Sequence, residues 1–221
     1  MVIVRSLQSG AISFDGAEGV ADIDAAVLTI NGLTSFTGNG ATNSSGGALH
    51  VQSSLLTIAG NATFQFNIAG IDGGAVHTTQ CPEVGVQGRA VFESNRVAGS
   101  GGAFYGGSCD KVTLDNAVFR SNDATWGASS GGALAHSSVL LTLSGSTFKS
   151  NMAGEEGYAV MSLGPLRSMD GLTFAENVQH CGVGTYGYDN TELVGGAGEG
   201  PALGRIQEGL RQEARAWTCA G

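Results

Sequence analysis

The sequence predicts an all-β chain wound into a right-handed parallel β-helix of about six coils, and three observations carry that expectation. A two-part motif recurs at a near-constant period, apolar residues fall into columns when the units are aligned, and no unit shows helical periodicity. The first part, Phe-x-x-Asn, appears at Phe36–Asn39, Phe64–Asn67, Phe92–Asn95, Phe119–Asn122, Phe148–Asn151 and Phe174–Asn177, with starts 28, 28, 27, 29 and 26 residues apart. The second, Gly-Gly-Ala followed by an apolar residue, begins at four glycine pairs: Gly46 with Gly47, Gly73 with Gly74, Gly101 with Gly102, and Gly131 with Gly132. A degenerate copy stands at Gly157–Val160. A fixed period of this size marks stacked repeats, in which no unit buries its own apolar side.

Each element of the unit has its own reason. In Gly46 to Asn67, short runs rich in Val, Ile, Leu and Thr alternate with Gly and Asn clusters, the pattern of two or three strands joined by turns. The i, i+3, i+4, i+7 spacing of a helix is missing, which excludes the α-solenoids. Aligned units stack Leu49, Val76, Phe104, Leu134 and Val160 in one column. Ile30, Ile58, Val86, Leu114, Leu143 and Met169 form a second, and the six motif phenylalanines a third. Coils about 4.8 Å apart turn each column into a continuous apolar ladder. The motif Asn suits a turn because it tolerates left-handed backbone, and once stacked its amide can bond the Asn above and below. Ala41, Ala69, Ala124 and Ala153 follow two residues later, small enough for a tight corner. The paired glycines are expected to allow positive φ where the chain enters the next strand.

The ends read differently. Met1 to Ser6 carries only four apolar residues before Arg5, too short for a signal-peptide core, so the chain is expected to follow its export signal or to be an excerpt. Ser9 to Ile12 looks like a worn repeat, and Asp22 and Asp24 fall in an irregular insertion before the first clear coil. We divide the chain into a β-helix domain, 1–180, and a tail, 181–221. In the tail, Pro201 opens a stretch with Leu203, Ile206, Leu210 and Trp217 at helical intervals, a cap for the open end or the start of another module.

Composition narrows the function. Glycine supplies 37 of 221 residues, far above the usual share of about 7%, but at fixed repeat positions, which is turn chemistry. A net charge of −9 with no basic stripe argues against nucleic acid and anionic membranes as partners. No apolar run approaches the roughly 20 residues of a membrane-spanning helix.

Four cysteines are present. Cys81 and Cys109 each lie eight residues after the first glycine of a pair, one coil apart. That phase would set their Cα atoms about 4.8 Å apart, within the ~4.4–6.8 Å a disulfide needs, so an inter-coil bridge is expected. Cys181 and Cys219 remain for a second bridge. Disulfides would imply an oxidising compartment and hence an exported protein.

Candidate catalytic groups are sparse. Carbohydrate cleavage needs carboxylates about 5–10 Å apart on one face, yet Asp72, Asp110, Asp115 and Asp123 share no repeat phase. The residue after the motif Phe runs Thr37, Gln65, Glu93, Arg120, Lys149 and Ala175, a ladder with ion pairing rather than an acid dyad. His50 and His77 occupy one outward column, but it continues as Tyr105, Ala135 and Met161 and offers no third metal ligand. It reads as a polar–aromatic ladder. His136 and His180 have no evident partner. No Lys follows the glycines as a phosphate loop requires.

The alternation of Gly-Gly-Ala-[Ile/Leu/Val] with Phe-x-x-Asn resembles the repeats of the chlamydial polymorphic outer-membrane proteins, over about Ser9 to Asn177. The resemblance implies an autotransporter-like, exported β-helical passenger that acts as an adhesin at the cell surface, with the motif residues as its repeat framework. The chain departs from the family's pattern at Tyr158, which breaks the last glycine pair, and it shows neither the family's signal peptide nor its membrane barrel. Cys181 to Tyr186 is similar to the opening of ephrin-receptor-like cysteine-rich modules. The expectation is therefore a secreted or cell-surface structural or adhesive module without catalysis or cofactor, whose partner is a protein or glycan. The competing expectation is a polysaccharide lyase or glycoside hydrolase on the same fold.

Overall fold

In a computed structural model, the described residues are 12–15, 21–24, 27–126, 129–155, 157–163, 166–180, 186–188 and 193–195. The predicted helix and the bridge between Cys181 and Cys219 lie outside them, as do Ser9 to Ala11 of the worn repeat.

The described chain forms a parallel β-solenoid. Its first complete coil runs through Val27–Ile30, Thr34–Thr37, Gly40–Ala41 and Leu49–Gln52, and four further coils repeat this path, ending at Val160–Ser162. Part-coils flank these five, so that three of the resulting sheets contain seven strands and one contains six. Each coil thus has four strands rather than two or three. The additional one, such as Ile68–Ala69, has only two residues and is too short to show alternation in sequence. We number the sheets one to four in the order a coil meets them.

Register follows the motif columns. Phe36 pairs with Phe64, Phe64 with Phe92, Phe92 with Phe119, Phe119 with Phe148, and Phe148 with Phe174. Strands such as Ala62–Gln65 alternate strictly, with Ala62 and Phe64 inward and Thr63 and Gln65 outward. This alternation fixes the register, because a slip of one residue would turn Phe64 to water. The phenylalanine rings from Phe36 to Phe174 stack nearly parallel with centroids 4.7–5.1 Å apart. Burying each contributes about 1.5–3 kcal/mol.

Flanking strands stack on the complete coils at both ends. Ile12–Asp15 pairs with Thr34–Thr37, and Leu193–Gly195 pairs with Val160–Ser162. Asp22 and Asp24 are not in an irregular insertion: Ala21–Asp24 is a strand of the fourth sheet, with Asp22 opposite His50 and Asp24 opposite Gln52.

Single left-handed residues make the tight corners. Between the second and third sheets they are Gly38, Phe66, Ser94, Ser121, Ser150 and Glu176, with φ between 53° and 68°. Left-handed backbone therefore falls on the residue before the motif Asn, not on the Asn itself.

The glycine pairs also depart from expectation, because only the first member of each takes positive φ. Gly46, Gly73, Gly101 and Gly131 do so, at 65–73°, whereas Gly47, Gly74, Gly102 and Gly132 do not. The second glycines are required by space instead. A Cβ added at Gly47 would overlap the Gly74 carbonyl oxygen, and one at Gly132 would overlap the Tyr158 carbonyl oxygen. Gly74 and Gly102 face the next coil in the same way. Only glycine allows backbones to approach so closely. In the last copy Tyr158 replaces the second glycine.

Candidate functional site

The motif residues are framework. The motif asparagines from Asn39 to Asn177 are buried and form a continuous hydrogen-bonded ladder. Asn67 Nδ2 donates to Asn95 Oδ1 at 2.9 Å and to the Phe36 carbonyl at 3.0 Å. Its Oδ1 accepts the Asn39 backbone N–H at 3.1 Å and Asn39 Nδ2 at 2.9 Å. The pattern repeats through Asn95, Asn122 and Asn151 to Asn177. Each interior amide uses two donors and two acceptor positions, which is why a polar column survives inside a narrow solenoid. Phe64, Phe92, Phe119 and Phe148 are likewise out of reach of any partner. Gly47 and Gly132 are buried between coils, so the glycine pairs carry no adhesive contact either. Any binding must come from the variable outward residues.

Cys81 and Cys109 do stack, but the expected bridge is not formed: both are buried free thiols. They belong to a longer column with Ser54 and Ser138. Ser54 Oγ donates to the Gln52 carbonyl, and the Cys81 and Cys109 thiols donate to the Thr79 and Gly107 carbonyls, each two residues back. Ser138 Oγ bonds the Gly106 carbonyl of the preceding coil. These cysteines therefore do a serine's work at the corner, a role legible only when all four coils are aligned. The two neighbouring sulfurs influence one another: Cys81 favours the thiolate of Cys109, whereas Cys109, and after it burial, disfavours that of Cys81.

On the outward faces the charged ladder is as expected. Glu93 accepts from Gln65 Nε2 and from Arg120 Nη2 at 2.7 Å, and the Arg120 bond chiefly holds its carboxyl below the usual range. A pair this exposed is worth about 0–1 kcal/mol. The four aspartates are engaged separately. Asp72 Oδ1 accepts the Ser100 N–H, Asp115 Oδ1 accepts from Ser144 Oγ, Asp123 Oδ1 accepts from Thr125, and Asp110 lies in the turn after Cys109. Among the described residues, no three His, Cys, Asp or Glu side chains gather so as to hold a metal ion. No helix there is long and apolar enough to cross a membrane.

His50 and His77 pair in register, with rings 5.0 Å apart and inclined by 59°. His77 lies flat on Tyr105, at 5.1 Å and 3°. His136 points the other way, into the core, where its Nδ1 is 3.3 Å from Ser162 Oγ. Burial lowers the pKa of both His77 and His136 to about 4.

One flank was not singled out in the sequence. Phe66 is 57% exposed despite its left-handed backbone, and Ile68 and Ile71 of the same coil are also exposed. Ile68 pairs with Arg96 on the next coil. Arg96 places its guanidinium carbon 3.9 Å from the centre of the Trp126 ring, and its Nε lies 3.0 Å from Asp123 Oδ2 without directing its N–H there. The signal available was a Phe in a column that otherwise carries Gly, Ser and Glu.

These ladders define the class: a parallel β-solenoid with an interior of Phe, Asn and small residues. No family model matches the chain, and no curated protein and no solved structure matches it.

Proposed function

We propose that this chain is a non-catalytic adhesive module of a secreted or cell-surface protein, a stiff rod that presents one flank to a protein or glycan. The observation that carries the reading is the flank of Phe66, Ile68, Ile71 and Trp126. Large apolar side chains on a polar solenoid gain nothing from the core, and Phe66 adds backbone strain. Aromatic residues and arginine dominate the binding energy of known interfaces. The resemblance of the repeats to exported adhesin passengers points the same way.

The test is binding of the full chain to arrays of extracellular glycans and extracellular proteins, beside Trp126→Ala and Phe66→Gly. A specific ligand whose binding falls in both variants, with thermal unfolding showing an intact fold, is the expected outcome. The reading fails if binding is unaffected by either change, or if the chain depolymerises uronic-acid polymers.

A further inference from the structure

We propose that Asn43 and Asn61 carry N-linked glycans; this rests on the exported reading above and adds that the export route passes an oligosaccharide transferase. Each residue opens an Asn-x-Ser/Thr acceptor, Asn43-Ser44-Ser45 and Asn61-Ala62-Thr63. No other asparagine in the chain does. In the transfer, the side-chain nitrogen attacks the anomeric carbon of a polyprenyl-diphosphate oligosaccharide. A C–N bond forms, the C–O bond to the diphosphate breaks, the diphosphate leaves with the electron pair, and one amide proton passes to solvent.

The fold places both acceptors where a bulky glycan fits. Asn43 lies in the turn between the third and fourth sheets, and Asn61 at the corner between the first and second; both are exposed. Their amides take no part in the buried asparagine ladder. The ladder asparagines cannot be acceptors, because the corner holds Ala41, Ala69, Ala124 or Ala153, or else Val97 or Gln179, two residues on.

Each acceptor also has an apolar neighbour on an adjacent rung. Gly40 pairs with Ile68, so three residues on, Asn43 stands one rung before Ile71, which is 51% exposed. Thr34 pairs with Ala62, so Asn61 stands one rung after Leu33, which is 69% exposed. The Asn61 carbonyl accepts the Thr34 N–H at 3.1 Å, which fixes that neighbourhood. Large apolar side chains left bare beside the two acceptors are covered by the apolar face of the first sugar. The Asn43 glycan thus borders the flank of Phe66 and Ile68 and limits which partners reach it.

The test secretes the full chain from cultured animal cells behind a cleavable signal, so export itself is supplied. After peptide N-glycanase digestion in heavy-oxygen water, Asn43 and Asn61 should both be recovered as labelled Asp. Asn43→Gln and Asn61→Gln should each remove one glycan, the double variant all of it, and Asn31→Gln none. Chain retained in the cells is digested in the same way, so a folding failure does not hide occupancy. A second readout addresses the contacts. Trimmed to one sugar per site, the chain should unfold at a higher temperature than the double glutamine variant, and Leu33→Ser and Ile71→Ser should each shrink that shift. Either asparagine left unmodified, or an undiminished shift in both serine variants, overturns the proposal. The adhesive reading is decided separately, by ligand binding at the flank of the double glutamine variant.

Discussion

The motif asparagine shows how much one side chain does here. Asn95 donates to Asn122 Oδ1 at 3.0 Å and to the Phe64 carbonyl at 3.0 Å, and accepts from the Asn67 amide and backbone. Asn95→Ala removes these bonds and leaves buried groups on both neighbouring coils without partners, each costing about 1–3 kcal/mol. A loss of about 3–5 kcal/mol is expected in urea unfolding, against about 1 kcal/mol for an outward residue such as Gln65. Phe66 runs the other way. Its column holds Gly38 one coil earlier, and a non-glycine left-handed residue costs about 1–2 kcal/mol, so Phe66→Gly should raise the unfolding midpoint slightly. A gain in stability combined with lost ligand binding would separate the flank from the framework. The buried histidines give a pH signature. The pKa of His77 and His136 is about 4 in the folded chain, below the ordinary 6.5, so the unfolded chain takes up protons first as pH falls. Their contribution to stability is full above pH 6.5 and is lost between 6.5 and about 4. His136→Gln should flatten the dependence of the urea midpoint on pH across that window, and an unchanged slope would contradict the assignment.

At the level of the coil, the sequence made the inward columns plain and the short strands and corners obscure. The Phe, Leu/Val and Ile/Leu columns repeat because each must fill the same space every rung. Two-residue strands such as Arg96–Val97 leave no alternation to detect, and their positions emerge only from backbone pairing. The corners were misread for a related reason. Both Asn and Ser tolerate left-handed backbone, so composition could not say which of Ser94 or Asn95 takes it, and the ladder bonds of Asn95 settle it. The second glycines were misread because a repeated Gly suggests a turn, and the close approach that Gly47 and Gly132 permit involves a coil about 26 residues away. The cysteines were misread because two adjacent rungs suggest a bond, whereas four rungs show a column of small donors. The double variant Cys81→Ser/Cys109→Ser should therefore lose less than about 1 kcal/mol, as expected for exchange of one hydrogen-bonding group for another. A loss of about 3 kcal/mol that appears only without reductant would instead reveal a bridge. The exposed flank was the least legible part, since outward residues owe nothing to the period.

For the whole molecule, the central claim is that residues one period apart lie on successive rungs of a rod. Thr37, Gln65, Glu93, Arg120 and Lys149 share one outward column through direct register. Nitroxide labels at Thr37 and Lys149 are far apart in sequence but only four rungs apart in space. At about 4.8 Å per rung, their attachment points are about 19 Å apart, and moving the first label to Gln65 shortens this by one rung. Electron–electron double resonance on the two labelled pairs is the most direct measurement. A single narrow distribution at about 19 Å, shortening by about 5 Å for the second pair, is the expected result. A broad distribution, or no shortening between the pairs, would contradict the stacked solenoid and everything built on it.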